Sequence, residues 1–202
     1  MQSRQALSEI TAEGLLTRVA AGEDSALEEL YRRQQRSVFA FALQFLSNES
    51  DAEDVVVETF HEVWRHAGRF AGESKATTWI LGIARHKALD KVRARNHVLM
   101  DSDYWNMVAE TVPGPGESAA DAMARESDAA ELRRHLARLP VEQRECIQLV
   151  FFNELALSEV AAIQGVPENT VKTRLFHARR KLREWIESAE GGPVRMGALQ
   201  IV

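Results

Sequence analysis

Near the middle of the chain, Pro113, Gly114, Pro115 and Gly116 stand inside residues 101–131, a stretch with eight carboxylates and the single cation Arg125. Its prolines lack backbone donors, its like charges repel in any compact state, and it has no apolar period to bury, so it reads as a solvated connector. A connector there forbids one continuous run of elements through the 202 residues. It leaves a stretch on either side that is long enough for a small domain with a modest core. The composition, 45% hydrophobic and 27% charged, suits folded rather than disordered chain.

Both stretches carry helical periods, and neither contains a convincing strand. In the first, Leu27, Leu30, Tyr31, Val38, Ala42 and Phe45 stack on one helix face. A second helix is expected from about Asp51 to Trp64, opened by the cap candidates Asn48 and Ser50, with Val55, Val56, Phe60 and Val63 inward. Gly68 and Gly72 interrupt the pattern. A third helix runs from Thr77 or Thr78 to about Arg95 with Leu81, Ala84, Ala88 and Val92 inward.

Beyond the connector, the pattern predicts a helix over Ala129 to Leu139, a break at Pro140, a helix from about Glu142 to Phe152 and a short one over Ser158 to Gln164. Gly165 and Val166 then supply a turn, and Pro167 opens a long helix from about Glu168 to Ile186. Gly191, Gly192 and Pro193 end it, leaving Val194 to Val202, too short for a domain and expected to be disordered. The expected fold class is all-α: two small helical domains joined by a flexible acidic linker, the C-terminal one containing a helix-turn-helix. The expected boundaries are 1–96, 97–127 for the linker, 128–190, and 191–202 for a tail.

The net charge of −5 argues against indiscriminate coating of DNA, yet the charges are sorted. Residues 49–62 hold six carboxylates and no Lys or Arg, whereas residues 85–95 hold five Lys or Arg against Asp90, and residues 172–183 hold six with no acid. On the last helix Val171, Leu175, Ala178 and Leu182 share one face, which leaves Lys172, Thr173, Phe176, His177, Arg179 and Arg180 for the flanks and outer side. A duplex major groove admits one such helix, early residues reading base edges and later cations meeting phosphates, so Lys172, Thr173 and His177 are the expected base readers. Lys87, Lys91 and Arg95 stack at i, i+4 and i+8, where like charges repel unless a polyanion screens them. Melted bases need aromatic faces beside such cations, and Trp79 is the candidate.

Several function classes drop out. No apolar run approaches the ~18 residues of a membrane span, and the start, Met1 to Ser8, lacks a signal-peptide layout; a cytoplasmic location and no direct membrane insertion are expected. The lone Cys146 lies in an apolar helical stretch and reads as a buried reduced thiol. His61 and His66 flank a Glu62 in a way that resembles a zinc-protease motif, but a spacing of five turns them apart by roughly 140°. With no phosphate loop or serine elbow either, no catalytic residue, metal, cofactor or small-molecule substrate is expected.

Leu139-Pro140, Gln143-Arg144, Glu159-Val160-Ala161, Gly165-Val166-Pro167, Asn169-Thr170-Val171-Lys172-Thr173-Arg174-Leu175 and Ala178-Arg179 together resemble the second DNA-binding domain of sigma-70 factors, in particular the small extracytoplasmic-function (ECF) group. The resemblance implies that the helix beginning near Glu168 reads the minus-35 element through Lys172, Thr173, Arg174, Phe176, His177, Arg179 and Arg180. Ala156-Leu157 replaces the family's usual Ser-Tyr, so the helix before the turn is expected to lose a cap. Asp51-Ala52-Glu53-Asp54-Val55-Val56-Val57-Glu58-Thr59-Phe60 resembles the surface that docks on core RNA polymerase, implicating Asp51, Glu53, Asp54, Val57, Glu58 and Phe60, with Val57 where Gln is common.

The run from Thr78 to Arg93 resembles the segment that melts and reads the minus-10 element, implicating Trp79, Arg85, Lys87, Lys91, Arg93 and Arg95. Residues 70–77 resemble the loop that captures an extruded base, and the acidic connector resembles the segment that threads toward the polymerase active centre. What the resemblance implies overall is a stress-responsive initiation factor, not an enzyme. Its partners would be core RNA polymerase, promoter DNA and an anti-sigma factor. The competing reading, an independent helix-turn-helix regulator of operator DNA, leaves the acidic helix and the first basic patch without a purpose.

Overall fold

In a computed structural model of the chain, the described residues are 7, 9–46, 48–96, 132 and 134–190, without the side chains of 95, 96 and 188–190. The regular elements among them are all helical: α1 (Ala12–Ala20), α2 (Asp24–Ala42), α3 (Glu49–His66), a 3-10 turn (Ala67–Arg69), α4 (Ala76–Asn96), α5 (Val141–Ile147), a π-helical turn (Gln148–Phe152), α6 (Leu157–Gln164) and α7 (Glu168–Glu190). None of the helices among the described residues is long and apolar enough to cross a membrane. The predicted linker and tail lie outside the described residues, as do residues 129–131 and 133 of the helix expected over Ala129 to Leu139, of which residues 134–137 form a helical turn.

Helices α1 to α4 form the N-terminal bundle, with α3 and α4 against each other and against α2. The sequence reading missed α1. Only nine residues long, it holds together because Thr11 Oγ1 accepts the Gly14 N–H at 3.2 Å and because Leu15, Leu16 and Val19 are buried against α2. At α3 the cap is Asn48, whose Oδ1 accepts the Asp51 N–H at 2.7 Å, while Ser50 lies one position inside the helix. Along α4, Leu81, Ala84 and Ala88 are buried as the period requires, and Val92 is half-buried near the end of the bundle.

In the C-terminal half the predicted single helix from Glu142 to Phe152 is instead α5 running into the π-helical turn, closed by the Asn153 N–H on the Gln148 carbonyl at 3.1 Å. The extra residue per turn buries Leu149 while leaving Phe152 58% exposed. Gly165 takes a left-handed φ of 66°, which lets the Val166 N–H reach back to the Ala161 carbonyl at 3.1 Å and turn the chain from α6 into α7. Val171, Leu175, Ala178 and Leu182 are all buried, each larger one contributing about 1.5–3 kcal/mol toward holding α7 on α5 and α6. The cap expected to be lost before α6 is partly replaced: Glu159 accepts the Ala156 N–H at 2.8 Å, the reciprocal half of a capping box.

Glu29 ties the bundle's N-terminal edge together. It accepts from Arg32 Nη2 and Arg33 Nε, each at 2.7 Å, and Arg33 in turn donates to the carbonyls of Ile10 and Leu7, both at 2.7 Å. The hydrogen bonds from Arg32 and Arg33 pull the Glu29 carboxyl down from 4.5 to about 2. A depressed acid stabilises the fold above its unfolded pKa and loses that contribution as pH falls through the folded value. The stability difference between the parent chain and Glu29→Gln is therefore expected to be full above pH 4.5 and to vanish toward pH 2. Chemical denaturation across that range checks it, and a difference that does not change with pH would refute it.

Candidate nucleic-acid interface

On α7 the helix-turn-helix presents one face outward. Lys172, Thr173, Phe176 and Arg180 are exposed at spacings that keep them on a single stripe, and Phe176 is 64% exposed, an unusual position for a large aromatic. Asn169 and Arg183, three residues beyond either end, are exposed too and extend the stripe; their spacing was the signal that the sequence reading left unused. Lys172 pairs with Glu168 at 2.9 Å, and the Thr173 hydroxyl donates to the Asn169 carbonyl at 2.9 Å.

The remaining predicted readers sit at the flanks. Arg174 is half-buried and donates to Gln164 Oε1 at 2.7 Å, stitching α7 to α6, so its first role is to fix the angle between the two helices. Arg179 lies over the Phe151 ring at 5.0 Å, and His177 stands edge-on to Phe176 at 5.5 Å.

Helices α3 and α4 bring together two patches that the sequence separates. Lys87 Nζ meets Glu62 at 3.1 Å, and Lys91 Nζ meets Asp54 at 3.0 Å and Glu58 at 3.5 Å. Partial burial works against the Lys91 charge, yet Asp54 and Glu58 outweigh it and raise the lysine pKa, while the bond from Lys87 lowers that of Glu62. This corrects the expectation that a polyanion must screen the lysine stripe: the acids of α3 already screen it. Arg93 is exposed and pairs with Asp90 at 3.2 Å, and the Arg95 side chain lies outside the described residues.

The predicted polymerase-binding set also divides. Glu53 and Asp54 are exposed, Glu58 is half-exposed and Val57 is 64% exposed. Asp51 serves the helix start, accepting from Asn48 Nδ2 at 3.0 Å. Phe60 is not on that face at all. It is buried, edge-on to Tyr31 at 4.9 Å, because its position falls on the apolar side of α3 with Val56 and Val63. Trp79 is half-buried against Phe70, ring centroids 5.7 Å apart, so it is neither core nor fully presented.

A profile of sigma-70 region 2 matches residues 30–98, and one of sigma-70 region 4 matches residues 129–182. The RNA polymerase sigma-H factor of Pseudomonas aeruginosa is 30% identical over 173 residues, covering 83% of this chain and 90% of that protein. This chain is an ECF member of the sigma-70 family. The ECF RNA polymerase sigma factor RpoE of Cereibacter sphaeroides is likewise 30% identical, over 80% of this chain and 87% of its own. Among solved structures, the sigma factor RpoE in complex with the anti-sigma factor NepR from Bartonella quintana superposes with a TM-score of 0.64 at 27% identity, covering 76% of this chain and 91% of that one. CnrH in complex with the cytosolic domain of CnrY, at 23% identity and a TM-score of 0.63, shares the fold.

Sigma factors are transcription initiation factors rather than enzymes, and this ECF sigma factor directs promoter-specific initiation by core RNA polymerase, which the reading as an independent regulator does not explain. Within it, the α3–α4 ion pairs make a testable demand. Asp54→Asn with Glu58→Gln frees Lys91, and each added phosphate contact steepens the salt dependence of single-strand binding by about 0.7 in log–log slope. Titration of the free chain with oligo(dT) at several salt concentrations measures this, and an unchanged slope would show that Lys91 meets no phosphate.

Proposed function

We propose a division of labour inside this ECF sigma factor: α7 reads the minus-35 element as duplex DNA, α4 with Trp79 and the loop before it binds the melted minus-10 element, and the outward side of α3 docks on core polymerase. The observation that carries the reading is the exposed stripe of α7 from Lys172 to Arg183, a run without acids that Glu168 and Glu184 flank at its two ends, seated by four buried apolar residues behind a left-handed glycine turn. Lys172 and Thr173, early in the helix and pointing outward, suit base edges. Arg180 and Arg183, later on the same stripe, suit phosphates. Phe176, flat and apolar between them, suits the methyl group of a thymine.

The N-terminal unit, within 1–96, and the C-terminal unit, within 128–190, then act as region 2 and region 4, and neither carries out a chemical step. The chain works in the cytoplasm, where core polymerase is. The likeness to RpoE bound by NepR supports control of this chain, too, by an anti-sigma factor.

Run-off transcription with purified core polymerase and a random promoter library tests the whole reading, which fails if the added chain redirects no start sites. Lys172→Ala is expected to cost about 1–3 kcal/mol at one base pair and to relax preference there; a uniform loss over all sequences would assign it to phosphate. For Phe176 the probe is deoxyuridine, which removes only the methyl group. Substitution at the contacted thymine should weaken the parent chain several-fold and leave Phe176→Ala unaffected, as expected when both changes delete one contact.

On α3, Glu53→Lys with Val57→Lys should abolish co-purification with core polymerase while leaving helicity unchanged. Undiminished association would remove α3 from the docking surface.

A further inference from the structure

Residues 70–75 connect the 3-10 turn to α4 and form the loop assigned above to the melted element, and α1 holds that loop at both ends. The 3-10 turn packs on α1 where the loop begins. Where the loop ends, Glu13 Oε1 of α1 accepts the Ala76 N–H, the first of α4, at 2.9 Å. Between these holds Ala71, Gly72 and Glu73 are exposed, and Gly72 turns the chain with a φ of 73°.

The hold at Ala76 supplies what the local sequence omits. Lys75 stands at the cap position of α4, its carbonyl accepting the Trp79 N–H at 3.1 Å, and its ammonium side chain offers the open N–H groups of the first turn no acceptor. A carboxylate brought from 63 residues earlier takes one of them, a charge-assisted bond at the positive end of the helix. The same N–H is the largest influence holding the Glu13 carboxyl below the usual carboxylate range. Gln34 of α2 adds a second hold, its Nε2 donating to Thr77 Oγ1 at 3.0 Å. Glu159 of α6 also reaches this turn, through the side chains of Lys75 and Thr78. Helix α1 is itself anchored: Arg33 of α2 donates to the Leu7 and Ile10 carbonyls ahead of it, both at 2.7 Å, and Leu15, Leu16 and Val19 are buried.

We propose that Glu13, seconded by Gln34, is a positioning residue for minus-10 recognition: it sets where α4 begins, and so how the loop and Trp79 meet the unstacked bases. The proposal rests on the reading of α4 and its loop as the minus-10 surface. In this role neither side chain touches DNA. Phe70, at the start of the loop, lies against Trp79 in the first turn of α4, ring centroids 5.7 Å apart, so a shift at Ala76 moves the aromatic face and the loop together. Helix α1 precedes residues 30–98, which match region 2, so discrimination at this element draws on a helix outside the matched segment. A binding constellation must be held to within about 0.5 Å of its productive geometry, so a loosened first turn costs discrimination between bases before it costs attachment to polymerase.

Run-off transcription with core polymerase on a library randomised at both promoter elements reads discrimination position by position. Glu13→Ala keeps a strong helix former in α1 and removes the acceptor. It is expected to lower base preference within the minus-10 element by about tenfold and to leave preference within the minus-35 element as in the parent chain. Glu13→Gln, whose amide oxygen still accepts an N–H, should restore most of that preference, and Gln34→Ala should lower it at the same positions. Helicity and co-purification with core polymerase are expected to match the parent in all three. If Glu13→Ala lost its helicity, Gln34→Ala decides in its place on the same two readouts. Unchanged minus-10 preference, equal loss at both elements, or a Glu13→Gln variant as impaired as Glu13→Ala would each overturn the positioning role. A parent chain whose start sites carry no preference within the minus-10 element would instead overturn the reading of α4 beneath it.

Discussion

A carboxylate at 1% exposure can remain charged only if a cation comes to it, and for Glu145 that cation is Arg85 from the other half of the chain. Burial still pushes the Glu145 pKa upward against the pull of Arg85, and Gln164, shared with Arg174 and the Cys146 thiol, completes its surroundings. One buried acid thus connects the helix assigned to melted DNA with the helix assigned to duplex DNA. Thr78 and Arg144, which reach Glu159 and the Gln44 carbonyl across the same boundary, are buried as well, so a set of desolvated polar contacts joins the halves and Glu145 is the deepest of them.

The same rule, that charge is compensated where it is desolvated, explains the bundle interior. Lys87 and Lys91 lie against α3 and are matched there by Glu62, Asp54 and Glu58, while Glu53 and the apolar Val57 are exposed and face away. A helix that spends some of its acids inward and presents the rest outward can hold its neighbour and still offer a partner a charged surface. The two uses need different residues, and α3 separates them by which side of the helix they fall on.

What could be read in the sequence was what repeats locally. Val171, Leu175, Ala178 and Leu182 lie where their spacing puts them, Gly165 turns left-handed where a turn was needed, and Asn48 caps α3. What could not be read was tertiary. Nothing in the run from 85 to 95 says that its lysines are answered by acids some 25 to 37 residues earlier, and nothing near Glu145 or Glu159 points to Arg85 or Thr78. Phe60, which its period places inward and which is buried, stands in the docking set only through the family signature, which runs across both sides of α3. Helix α1 escaped because nine residues give too short a window for a period to stand out.

The π-helical turn at Gln148–Phe152 has a consequence for how this chain can tolerate changes of length. It closes its ring over one more residue than an ordinary turn, so a single deletion there can be absorbed by a return to regular winding that leaves Asn153 near Ser37. The same deletion in α5, which has no residue to spare, would rotate everything downstream by about 100°, swing Asn153 away from Ser37 and give the segment leading to α6 a new heading. The geometry that joins the two halves is therefore set by a count of residues as much as by their chemistry, and the π-helical turn is where that count has slack.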